Sequence, residues 1–185
     1  MLPSRFRVIQ QGHASGEVLA GHVYFRNFVR FADRPWSHEC KSNLKSYFTA
    51  VRTQQSYPDN DFPSQLARLR FAPERGNRYA YFMASGPMED RSHQVPRGVD
   101  KARAIGVDTF QGLPPVTFAQ LPSEIARMVG VSGQCPECNM TMVCAANFDS
   151  DSTLDIWSIS TADRTIGTEV ISAGEVFHHV DDVEF

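Results

Sequence analysis

Ser37-His38-Glu39-Cys40-Lys41-Ser42-Asn43-Leu44-Lys45-Ser46-Tyr47-Phe48-Thr49-Ala50-Val51 (residues 37–51) reads as an amphipathic helix. Cys40, Leu44, Tyr47, Phe48 and Val51 recur at steps of four, three, one and three, which places them on one helical stripe. Ser37 suits the N-cap, and Glu39 falls in the first turn, where unpaired N–H groups favour a carboxylate. Such a stripe has to be buried against another element. Beyond Cys138 the period changes from 3.6 to two: Met140, Met142, Cys144, Ala146 and Phe148 share one face of a strand.

Working outward from that helix, Asp149-Ser150-Asp151-Ser152 reads as a turn. Strands are expected over 153–160, 166–171 and 175–183, the last two joined through Ala173-Gly174, which together make a meander. Segments 4–10 and 17–31 read as strands, and so does 78–84, ended by Gly86-Pro87. Shorter helices are expected around 63–69, 98–105 and 122–129. The fold class is α+β: one compact domain over 1–185 with a central antiparallel sheet, helices in the N-terminal two-thirds and a C-terminal β-meander. Gly112-Leu113-Pro114-Pro115 is the best linker. A subdomain boundary near 111–116 would separate residues 1–110 from an acidic meander, 117–185, carrying the Cys135-Pro136-Glu137-Cys138 turn.

With 42% hydrophobic and 21% charged residues the composition is that of a soluble globular protein. No apolar stretch approaches the roughly 20 residues that span a bilayer. Met1–Arg7 lacks the apolar run of a signal peptide, so the expectation is a cytoplasmic protein with no membrane partner. Charge is unevenly spread. Residues 1–110 hold sixteen Lys/Arg against ten Asp/Glu, and 111–185 hold two against eleven. The acidic half suggests a surface for a basic protein partner, centred on Asp149, Asp151, Asp155, Asp181 and Asp182. Arg26 and Arg30 offer a weaker nucleic-acid alternative, with no recognition motif behind it.

Three constellations bear on chemistry. Cys135 and Cys138, two residues apart in a turn, have the spacing of half a zinc site, and His178 is the candidate third ligand. The same spacing also suits a redox or disulfide pair, or an ordinary turn. Nucleobase deaminases use such a pair together with a His-x-Glu, and no His here has Glu two positions on. Cys40, near a helix start, is a candidate nucleophile, with His179 as base and Asp181 as orienter on one strand face. Asp149, Asp151 and Asp155 resemble part of a calcium loop without its Gly and terminal Glu. No aligned catalytic set is evident, so the sequence favours a non-enzymatic binding protein, such as an inhibitor, an antitoxin-like protein or an adaptor. A Cys40 hydrolase or transferase, or a zinc enzyme at Cys135 and Cys138, is the alternative.

Overall fold

Helix α1 (37–55) turns its apolar stripe inward: Cys40, Leu44, Tyr47 and Val51 are at most 1% exposed. The computed structural model describes residues 37–56, 69–99, 101–135, 137–149 and 151–182, all of which lie within one compact unit, 36–185. Ser37 is already helical rather than a cap. The expected strands at 4–10 and 17–31, Arg26, Arg30 and nearly all of the 63–69 helix lie outside the described residues.

The strands are β1 (Ala80–Phe82), β2 (Met88–Glu89), β3 (Ala104–Ile105), β4 (Gly130–Ser132), β5 (Asn139–Ala146), β6 (Asp155–Ser160), β7 (Arg164–Ile166), β8 (Glu169–Ile171) and β9 (Phe177–Val180). Seven of them form one sheet in the order β2-β3-β1-β5-β6-β9, with β4 sharing the β1 edge of β5. Every pairing in that sheet is antiparallel except β2 with β3. Strand β5 is the spine. Its register sets Phe82 against Val143 on one edge and Cys144 against Trp157 on the other.

Period-two alternation along β5 divides the core. Met140, Met142, Cys144 and Ala146 pack with Cys40, Leu44, Tyr47 and Val51 of α1. Val143 and Ala145, on the opposite face, pack with Val116, Leu121 and Ile125. A strand buried on both faces has no room for the polar alternates of a one-sided sheet. The 112–115 segment, read as a linker, therefore leads directly into the second covering layer, and β1 pairs with β5 across it.

Three elements differ from expectation. The 98–105 helix is absent. Lys101 takes a left-handed conformation (φ 61°), and Ala104–Ile105 joins β1 and β2 as strand β3. The 122–129 helix is a single turn, α2 (Ser123–Ala126), which buries Ile125. The expected 166–171 strand is instead half of the hairpin β7–β8, reversed at Gly167 (φ 62°), so β9 returns to pair with β6.

Candidate functional site

Helix α1 is fastened to the sheet at four heights. Glu39 accepts hydrogen bonds from the Arg78 amide at 3.1 Å and the Tyr81 hydroxyl at 3.0 Å, and its burial raises its pKa above the ordinary carboxylate value. Cys40 is bonded to Cys144 of β5 in a disulfide. Lys45 Nζ donates to the Gly174 carbonyl, and Gln55 donates to the Cys138 carbonyl at 3.2 Å. At Gly174 (φ 76°) the loop before β9 lies so close to Phe48 that a Cβ would come within 2.8 Å of the ring.

Beside this staple, Asp155 is a buried hub. It accepts from the Tyr79 hydroxyl, from Trp157 Nε1 at 2.8 Å and from His178 Nε2 at 2.7 Å. The Trp157 indole stacks on the His178 ring with centroids 3.7 Å apart, and the Lys41 ammonium lies 4.1 Å from the Trp157 ring centre. Desolvation, then the negative charge of Asp155, pushes the Tyr79 hydroxyl far above its ordinary pKa, so it keeps the proton that it donates to Asp155. On the other face of β9, His179 Nε2 meets Ser158 Oγ at 2.6 Å. Burial, followed by the charges of Arg164 and His178, lowers the His179 pKa to about 4 and keeps the ring neutral.

These placements correct several expectations. Cys40 has no thiolate to offer, because its sulfur is bonded to Cys144, so the expected set of Cys40 with His179 and Asp181 is not assembled. Asp181 itself falls beside Asp155 and His178. Cys135 and Cys138 are joined to each other, which removes the thiolate pair that zinc requires, and His178 is committed to Asp155. The five acids are not one exposed surface. Asp149, Asp151 and Asp181 are exposed, whereas Asp155 and Asp182 are buried. Asp182 accepts from the Phe148 amide at 3.0 Å, and burial with repulsion from Asp149, Asp151 and Asp155 raises its pKa to about 6.

The Cys40–Cys144 bond was missed in the sequence although its signal was present. Both cysteines sit on the inward faces of elements that have to pack together. The Asp155 hub had no local signal, because Tyr79 and His178 reach it from distant parts of the chain.

The geometry defines a class: a helix laid along a sheet and locked there by a disulfide, hydrogen bonds and a cation–π contact, with no assembled catalytic set among the described residues. The model of the type IV pilin PilA family matches residues 31–155. The type IV major pilin protein PilA of Myxococcus xanthus (strain DK1622) is 31% identical over 153 residues, covering 72% of this chain and 68% of the relative. The chain belongs to the type IV pilin PilA family.

That membership overturns the inhibitor, antitoxin-like and adaptor reading and both enzyme alternatives, since the family supplies a structural subunit of the pilus. It likewise overturns the cytoplasmic expectation: type IV pilins are exported and assembled into surface pili. Disulfide pairing of all four cysteines fits an oxidising compartment. Pilins do have protein partners, which are other pilin subunits, and nothing supports a nucleic-acid partner. Among the described residues no helix is long and apolar enough to cross a membrane.

Proposed function

We propose that this chain is a structural subunit of a type IV pilus, which assembles with further copies of itself into a surface filament. The observation that carries this reading is the family match over 31–155, reinforced by a relative named a major pilin. The stapled architecture suits the role. A filament subunit outside the cell bears mechanical load without chaperones, and a cross-link between helix and sheet resists local opening. Val95, Phe110 and Val170, more than half exposed, are apolar points at which neighbouring subunits can pack.

Filaments sheared from the source cells and identified by mass spectrometry provide the test. Peptides of this chain should dominate the sheared fraction, and deleting its gene should remove the filaments. Recovery of the chain only from the cytosol, with filaments intact in the deletion strain, would refute the reading.

A further inference from the structure

The β5–β6 turn and the segment after β9 bring three carboxylates together. Asp149, Asp151 and Asp182 each place an oxygen within 4.8 Å of the other two. Among the described residues none of the three lies within ion-pair distance of a Lys, Arg or His, so no protein cation offsets their repulsion.

A second observation points to a ligand. Asp182 is only 6% exposed. Its Oδ2 accepts the Phe148 N–H, while Oδ1 is buried with no hydrogen-bond partner among the described residues. Buried polar atoms in native folds are almost always satisfied, so a lone acceptor inside an anionic cluster needs a partner from outside the chain. A water would satisfy the acceptor and leave the charge. A cation answers both.

We propose that Asp149, Asp151 and Asp182 hold a calcium ion that clamps the β5–β6 turn to the end of β9. An all-carboxylate set selects a hard cation over zinc or copper. Calcium–oxygen distances of about 2.3–2.6 Å set opposite ligands roughly 4.6–5.2 Å apart, so carboxylate oxygens separated by up to 4.8 Å fit around it without collapsing inward. Magnesium, at about 2.0–2.1 Å, demands a tighter octahedron. Exposure of Asp149 and Asp151 leaves room for waters to complete the six to eight ligands calcium takes. The loop pattern in the sequence lacked its Gly and terminal Glu because the third ligand comes from beyond β9. Asp155, the apparent third member, is occupied by Tyr79, Trp157 and His178. Strand β9 is the edge strand of the sheet, so the clamp would secure the part of the fold with the fewest neighbours. The inference goes beyond the pilus reading and does not depend on it.

The test is calorimetric titration of chelator-treated full-length protein with CaCl2, paired with melting curves in EDTA and in millimolar calcium. One ion should bind with a Kd on the order of 10⁻⁴–10⁻³ M or tighter, raise the Tm, and outcompete magnesium at least tenfold. Asp182→Asn keeps an acceptor for the Phe148 amide and should remain folded while binding calcium at least tenfold more weakly. The Asp149→Asn/Asp151→Asn double variant should do the same, and Glu169→Gln, an acid on the exposed β8 strand, should bind as the parent does. No heat and no Tm change with calcium in the parent would overturn the proposal. So would unchanged calcium binding in both site variants.

Discussion

Replacing Cys40 and Cys144 together by Ala should destabilise this protein far more than replacing Cys135 and Cys138. The two bonds close loops of very different size, with sequence separations of 104 and 3. A cross-link acts mainly by restricting the unfolded chain, and closing about 100 residues is worth roughly 4.7 kcal/mol at 25 °C. The same relation gives about 2 kcal/mol for the short loop. At roughly 2–4 °C per kcal/mol for a domain of this size, Cys40→Ala/Cys144→Ala should lower the Tm by about 10–20 °C. Cys135→Ala/Cys138→Ala should lower it by less than half as much. Urea denaturation separates mechanism from magnitude: an unfolded chain freed of the long loop exposes more surface, so the m-value should rise in the first variant and hardly change in the second. Equal losses in the two variants, or a large loss with an unchanged m-value in the first, would refute the reasoning.

Asp155→Ala removes the common acceptor of Tyr79, Trp157 and His178 and leaves the Tyr79 hydroxyl buried without it, so a loss of at least about 3 kcal/mol is expected by urea titration, with Asp155→Asn milder. Gly174→Ala forces a Cβ against Phe48 at a positive φ, and should cost about 1–3 kcal/mol; Phe48→Leu in the same chain should recover part of it in thermal melts. The folded-state pKa of Asp182 is raised to about 6, so its ionisation penalty is fully present above that pH and is relieved as pH falls toward the ordinary carboxylate value. His179, lowered to about 4, contributes stability above its ordinary value of 6.5 that is lost as pH falls through 6.5 toward 4. In EDTA, Asp182→Asn should therefore melt higher than the parent at pH 7, and the difference should shrink toward zero by pH 4. A difference independent of pH would show that Asp182 is not the group responsible.

The helix at 37–55 and the spine strand β5 were legible because their burial patterns are local. A period near 3.6 or of two is written in neighbouring residues, and the face it marks has to be buried wherever the element ends up. From Cys40 and Cys144 on those two faces even the staple was within reach. The α+β class followed from the same periodicity. Other features depend on chain segments meeting in space, which no local pattern records. Residues 112–115 looked like a linker and 122–129 like a helix, yet Val116, Leu121 and Ile125 cover the second face of the sheet, because β5 is buried on both sides and needs that layer. Asp155 and Asp182 looked like surface charges of a turn and a tail. Pairing of β6 with β9 brought His178 to Asp155, the residue ahead of β1 added the Tyr79 hydroxyl, and Asp182 was buried beside Asp149 and Asp151. A residue's charge is local information, but whether that charge faces water, a hydrogen-bond donor or another anion is decided by strand pairing, and that was settled only by the tertiary structure.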